Sequence, residues 1–441
     1  MKKSLILGCT ILILSCLHAE ETTVEKGIPA TAWGAGAAVR STNVPYAAPF
    51  AQSNGENTSS FIHLLYFEGE HFYMDGTEIG YRAPLTDALS IAAITKLRMA
   101  DIPETQQNAY QLDGYDPGVQ LRYSFDKGHY AQVEAMTDMH NNFYANLYYQ
   151  YTYGWGDFNF IPYAQATYRN NGFNTYYYGL GAIDAYTTHN LGAGVDLSVG
   201  VDVWYHLASN FYLYGKAQTK FLNSEAKKSP YVSESRQDEF WLGFAFKNDK
   251  DKPLLPSLKS RPYIRLAYGF ATVSNLGEIF VGDVIHDDFE NRMVSLFYGH
   301  PVSDTFFNLP ISIYFTPGIV WHQTSKVQKS SYEVVAAMKA YYTIPLPWRV
   351  RLGVGTGISY ITNTTYIEDV DMDPGEKSSK LLQYLDFSVD MNMGDIFGES
   401  VERLWLGYGI HHRSAVFESA SEYGHFKGGS NYNTVYLQYH F

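Results

Sequence analysis

Polar and apolar residues alternate without a break from Leu191 to Leu207. Val195, Leu197, Val199, Val201 and Val203 share one parity, and Asp196, Ser198, Gly200, Asp202 and Trp204 share the other. A period of two sends the two sets to opposite faces of a β-strand. Sheet strands usually run about 5–6 residues, and this one is about three times that, with two carboxylates on its inner face. Shorter stretches repeat the pattern. Phe143, Ala145, Leu147 and Tyr149 oppose Tyr144, Asn146, Tyr148 and Gln150. Phe211, Leu213, Gly215 and Ala217 oppose Tyr212, Tyr214, Lys216 and Gln218. Leu352, Val354 and Ile358 oppose Arg351, Gly353 and Gly357, and Leu381, Leu385 and Val389 oppose Tyr384, Asp386 and Asp390. Long strands with a polar inner face are what a membrane-spanning β-barrel requires.

The chain divides at residues 248–260, where Asn248-Asp249-Lys250-Asp251-Lys252 precedes Pro253 and Pro256 and reads as a linker. Beyond it the pattern predicts strands at 261–272, 288–299, 309–322, 331–343, 348–361, 380–392, 402–414 and 431–441. Eight strands suffice to close a small barrel filled by its own side chains. Before the linker, ten to twelve strands are expected between Trp33 and Lys247. There 101–117 is too long for a short inner turn under simple up-and-down counting. The fold class is all-β and antiparallel: a barrel of 10–12 strands over 20–247 followed by an eight-stranded barrel over 261–441. One barrel of about twenty strands is the alternative.

The first residues set the destination. Lys2-Lys3 precede the apolar run Leu5 to Leu14, and small residues end at Ala19. This is a secretory signal peptide with cleavage expected after Ala19, too short to span a membrane as a mature helix. A lipoprotein site at Cys16 is the competing reading. Cys9 and Cys16 are the only cysteines, so cleavage after Ala19 leaves no thiol for disulfides or thiolate metal sites. No later stretch approaches the roughly 18 apolar residues of a spanning helix, so any span must be made of strands. Aromatics are 16% of residues, 38 of them Tyr, the side chain suited to a membrane–water boundary. The formal charge of -13 argues against nucleic acid as a partner.

The last strand carries Val435, Leu437, Tyr439 and Phe441 on one parity. It looks like the terminal strand of bacterial outer-membrane barrels, which implies recognition by the barrel-assembly machinery. The first half resembles the MipA/OmpV family of outer-membrane proteins. The carrying motifs are Arg40-Ser41-Thr42-Asn43-Val44-Pro45-Tyr46, Phe67-Glu68-Gly69-Glu70-His71-Phe72-Tyr73, Ile79-Gly80-Tyr81-Arg82, Leu112-Asp113-Gly114-Tyr115-Asp116 and Tyr176-Tyr177-Tyr178-Gly179-Leu180. They cover about 30–247. The resemblance implies an outer-membrane location and a scaffold or small-pore role. Cell-wall enzymes are implied partners, because the name-giving member of the family scaffolds them.

The second half is more faintly similar to lipid A 3-O-deacylases of the PagL type. These are eight-stranded barrels with His-x-Ser on the penultimate strand and a Glu near the start of the last. Here His412-Arg413-Ser414 matches His-x-Ser. His412 and Ser414 share parity with Leu404, Leu406 and Tyr408, which turns both toward lipid at the outer-leaflet end. Polar groups on that face are costly and call for a reason. The resemblance implies Ser414 as nucleophile and His412 as its base. The sequence departs from the family at the third member, where Asn431 and Asn433 stand in place of a carboxylate. Glu418 and Glu422 in the preceding loop are the available acids.

No cofactor or metal is expected. His411, His412, His425 and His440 are too scattered for a metal site. The run Glu368-Asp369-Val370-Asp371-Met372-Asp373 reads as a solvated acidic outer loop, with a bridging divalent cation as the sharper alternative. The glycines of Gly353-Val354-Gly355-Thr356-Gly357 lie on one face of a strand and form no phosphate loop. Outer-membrane lipid and lipopolysaccharide are the expected surroundings, at the bacterial outer membrane.

Overall fold

The computed structural model describes residues 32–107, 110, 112–126, 128–138, 140–183, 188–208, 211–247, 258–306, 309–370, 378–414 and 429–441. The leader and most of the linker, 248–257, lie outside these residues. The strands before the linker are β1 (Ala32–Asn43), β2 (Asn57–Glu68), β3 (Phe72–Gly76), β4 (Glu78–Pro84), β5 (Leu89–Arg98), β6 (Gly114–Asp126) and β7 (His129–Thr137). They continue as β8 (Phe143–Gln150), β9 (Tyr153–Trp155), β10 (Phe158–Arg169), β11 (Gly194–Ala208), β12 (Phe211–Phe221) and β13 (Arg236–Lys247). β8 and β9 both pair with β10, one after the other, and share one place in the wall. β13 pairs back onto β1, so the sheet closes as a twelve-place antiparallel barrel.

After the linker come β14 (Tyr263–Thr272), β15 (Arg292–Ser303), β16 (Ile311–His322), β17 (Ser331–Pro345), β18 (Arg349–Ile361), β19 (Leu381–Asn392), β20 (Leu404–Ser414) and β21 (Gly429–His440). They form a second closed barrel, sealed by β14 against β21. Each sheet closes on itself, which rules out one barrel of about twenty strands. In both barrels most connections at one end are short and most at the other are long, and the long-loop end is the outward one in this class.

Alternation becomes sidedness. On β11, Val195, Leu197 and Val199 are 49%, 55% and 53% exposed, whereas Asp196 is 1% exposed and faces the lumen. On β21, Val435, Leu437 and Tyr439 are exposed, while Tyr432, Tyr436 and Gln438 are buried. Exposed aromatics add a rim: Tyr151, Tyr153 and Trp155 on the first barrel, and Tyr342, Trp348 and Phe441 on the second. The expected strand over Leu191–Leu207 begins later, at Gly194. Leu191 leaves the sheet because its backbone bonds a side chain: its N–H donates to Thr175 Oγ1 at 2.9 Å.

The long connection near 101–117 has its own task. β3 pairs only with Leu65–Glu68 of β2, so residues 57–64 have no strand beside them on that side. The described residues between β5 and β6, with the helical turn α1 (Glu104–Gln107), fill the notch. Glu104 Oε1 accepts from the Ser59 amide at 3.3 Å, and Gln107 Nε2 donates to Thr58 Oγ1 at 2.8 Å. An unpaired strand edge is thereby covered.

The long-loop end of the first barrel is filled. Tyr46 and Phe50 from 44–56, Phe173 and Tyr177 from α2 (Asn171–Tyr177), and Leu191 pack with Ile94, Met136 and Tyr144 of the wall. Asn170 caps α2 by accepting from Phe173 N at 2.7 Å. Tyr46 Oη donates to the Tyr177 carbonyl at 3.0 Å, and Ser229 Oγ to the Tyr178 carbonyl at 2.7 Å. The result is an apolar plug inside the outer mouth.

Candidate functional site

The interior of the second barrel is built in charged and aromatic tiers. Asp386 is contacted by Arg265 and Lys339, each at 2.5 Å, and accepts from Tyr384 Oη at 3.0 Å. Arg351 forms a two-point pair with Asp390, its Nε at 2.9 Å and Nη2 at 2.7 Å. Nearer the long-loop end, the fully buried Glu333 accepts from His322 Nε2 at 2.8 Å, from His411 Nε2 at 3.1 Å and from Ser359 Oγ at 2.6 Å. Ser359 in turn accepts from Arg413 Nε at 2.9 Å. Arg413 also bonds Glu368, and its Nη2 reaches the Lys380 carbonyl at 3.0 Å. These buried ions are paired by geometry that several strands share.

Glu368 therefore departs from its expected place in a solvated acidic loop. It lies on the short helix α4 (Tyr366–Val370), is buried, and accepts from Ser430 Oγ at 2.9 Å. Asp371 and Asp373 lie outside the described residues, as do Glu418, Glu422 and His425. No cluster of three or more metal-ligating side chains occurs among the described residues.

The other face of β20 carries the candidate site. His411 and Arg413 are buried in the lumen, and His412 and Ser414 between and beyond them are half-buried on the outer parity. His412 lies opposite Asn431 of β21, and Ser414 opposite Gly429. His412 Nδ1 is 2.7 Å from Asn431 Oδ1. Asn431 Nδ2 donates to the Ser274 carbonyl at 2.9 Å. That second bond fixes the amide, because its NH2 must face Ser274 and its oxygen must face the imidazole. Nδ1 then carries the ring N–H, and in the neutral imidazole the lone pair lies on Nε2. Ser414 stands two residues along the same face, about 6–7 Å further up the strand by the rise of a β-strand. His411 and Arg413, locked into the inner network, hold the backbone from which both side chains project.

Apolar surface adjoins this pair. The helix α3 (Leu276–Phe280) follows Ser274, and Asn275 and Glu278 close a capping box at its start. Phe280 meets Phe387 of β19 edge-on, with ring centroids 5.1 Å apart. Phe280, Val281 and Ile285 are all exposed. One further pair, Tyr408 Oη to Asn433 Oδ1, extends the outward polar ladder below His412.

Sequence reasoning brought His412, Ser414 and Asn431 to one address because strand parity is local. It missed Ser274, which orients Asn431, and Glu333, which anchors the strand from within. An isolated Ser in a loop and an isolated Glu in a strand carry no local signal of those contacts.

Closed antiparallel walls, apolar outside and polar inside, with aromatic rims, define a bacterial outer-membrane β-barrel protein. Within that class, residues 35–248 match the model of the family described as MltA-interacting protein MipA. The match spans the first barrel and leaves the second outside it. No curated protein matches the chain by sequence. Among solved structures, the outer membrane enzyme PagL aligns at 10% identity over 41% of this chain and 99% of its own, with a TM-score of 0.29. LpxR from Salmonella typhimurium aligns at 8% identity over 67% and 88%, with a TM-score of 0.19. The anion-selective porin from Comamonas acidovorans aligns at 11% identity over 93% and 99%, with a TM-score of 0.21. Scores this low carry nothing about function, which must come from the residues.

Proposed function

We propose that the second barrel is an acyl-ester hydrolase working on lipid of the outer leaflet, lipid A being the substrate that its resemblance implies. Ser414 Oγ attacks the ester carbonyl while His412 Nε2 takes its proton. The leaving alcohol collects that proton, and water, activated by the same imidazole, releases the fatty acid from Ser414. Asn431 is the positioning residue, holding Nδ1–H so that Nε2 remains the base. The observation that carries this reading is the His412–Asn431–Ser274 chain, which selects the tautomer a general base needs. The exposed Phe280 and Val281 supply apolar surface for an acyl chain. The test is mass spectrometry of lipid A from cells producing the wild type or Ser414→Ala, in a host that displays the substrate. Loss of one ester-linked acyl chain with the wild type alone is expected. Identical acyl patterns would remove the proposal.

A second reading concerns the first barrel, and the apolar plug favours it. A lumen filled by Tyr46, Phe173 and Tyr177 suits a scaffold better than a pore. The family name MltA-interacting protein points to a protein partner, and the resemblance of the first half implies that it is a cell-wall enzyme. Co-purification of such an enzyme with residues 32–247 intact in the full chain, lost when the short-turn end is substituted, is the check.

A further inference from the structure

We propose that the first barrel holds a binding site for a small organic oxyanion, a carboxylate or a phosphate, in its lumen beside the plug. A cavity of about 160 Å³ lies there, crossed by side chains from β5, β8, β10, β12 and β13 and bounded by Tyr46, Phe173 and Tyr177. Four cations line it: Lys96, Arg98, Arg169 and Lys220. Three already have carboxylates. Lys96 Nζ is 2.8 Å from both Glu78 and Glu134, Arg98 Nε is 2.7 Å from Asp116, and Arg169 Nε is 2.6 Å from Asp196. Elsewhere in the same lumen Arg40 is shared by Asp101 and Glu239, and Lys216 faces Glu239 at 3.5 Å.

Lys220 is the exception. It is half-buried against the cavity and, among the described residues, makes no ion pair and no side-chain hydrogen bond. An ammonium held away from bulk water without a counter-ion is unfavourable, and a bound anion would correct that. The neighbouring guanidiniums are prepared for the same ligand. Arg98 lies over the Tyr177 ring at 4.6 Å and Arg169 over the Phe173 ring at 4.5 Å, which holds each planar fork in place. Asn146, Gln165 and the three aromatic residues complete a lining of mixed polar and apolar character, so the site suits a hydroxylated body carrying one negative group. The carboxylates behind Lys96, Arg98 and Arg169 limit the charge accepted to a small anion.

The site is independent of the proposed hydrolase, being in the other barrel. It is tested by calorimetric titration of the purified full chain in detergent with glucuronate, glucose 6-phosphate and uncharged glucose. At least one of the two anions binds with a Kd below about 1 mM, and glucose does not. The tighter anion distinguishes a carboxylate ligand from a phosphate one. Lys220→Met and the uncharged but polar Lys220→Gln each weaken binding at least about tenfold, and Lys220→Arg retains it. Folding of each variant is read from its thermal transition. No heat from either anion with the wild type, equal binding of glucose, or unchanged binding by a folded Lys220→Met or Lys220→Gln would each overturn the proposal. The discrimination between anion and glucose by the wild type stands without any variant.

Discussion

Arg40 Nη1 meets Asp101 Oδ1 at 2.6 Å, and this pair ties the first strand of the chain to the segment that fills the notch in its wall. Gln237 Nε2 donates to the other oxygen of Asp101 at 3.2 Å, so β13 joins the same knot. Removing the carboxylate leaves Arg40 with Glu239 alone. Asp101→Ala is expected to cost about 2 kcal/mol, below the full penalty of an orphaned buried charge. The segment 99–113 should also become the first site of protease cleavage in the folded protein. A cleavage pattern identical to that of the wild type would show that the notch is sealed by other contacts.

That knot also marks where sequence reading stops. The eight strands of the second barrel were legible because each side chain's face follows from its own parity: Leu352 and Val354 point out and Arg351 points in, whatever their neighbours. The charged linker pointed to two barrels but left one barrel of about twenty strands open, and the closure of each sheet decided between them. The notch was not legible. It arises because β3 and β4 meet in a hairpin after a few residues, turning at Gly76 with φ +63°, and nothing local marks that hairpin as shorter than its neighbours. Arg40 and Asp101 are likewise partners only once strand tilt and register are set. The His412–Asn431 pair lay between these cases: parity gave the shared face, but the register that puts them opposite each other came from the fold.

The middle tier of the second barrel makes a sharper stability prediction. Asp386 alone separates Arg265 from Lys339 at contact distance. Asp386→Ala leaves two buried cations side by side, and a loss of about 3–5 kcal/mol is expected. Asp386→Asn, which keeps the volume and some hydrogen bonding, should lose less. Urea unfolding in detergent, followed by tryptophan fluorescence, measures both. Equal losses for the two variants would mean that volume, not charge, matters at this position.

The plug predicts silence. Purified protein in a planar bilayer should give no sustained ionic current, since aromatic side chains occupy the outer mouth of the first barrel and the second is filled by its own side chains. Phe173→Ala with Tyr177→Ala removes two large members of the cluster and the ring under Arg98. Intermittent openings are expected from that double variant alone. Regular, ohmic steps from the wild type would mean that the plug does not occupy the conducting path.

Asn431 carries the final prediction, because it separates a positioning role from a merely structural one. If Ser414 and His412 act as a unit, Ser414→Ala, His412→Ala and the double variant should lose activity to the same extent, by about a thousandfold. Asn431→Ala should retain His412 and Ser414 but free the imidazole to rotate, with a smaller loss of about ten- to a hundredfold in kcat. Asn431→Glu restores an acceptor for Nδ1–H and adds a charge that stabilises the imidazolium, so its activity should exceed that of Asn431→Ala. A structural role predicts the opposite order, since a carboxylate cannot donate to the Ser274 carbonyl as the amide NH2 does at 2.9 Å. The measurement is fatty-acid release from mixed micelles, with each variant's thermal transition recorded beside it. If Asn431→Glu were no more active than Asn431→Ala while equally stable, Asn431 would not be acting through His412.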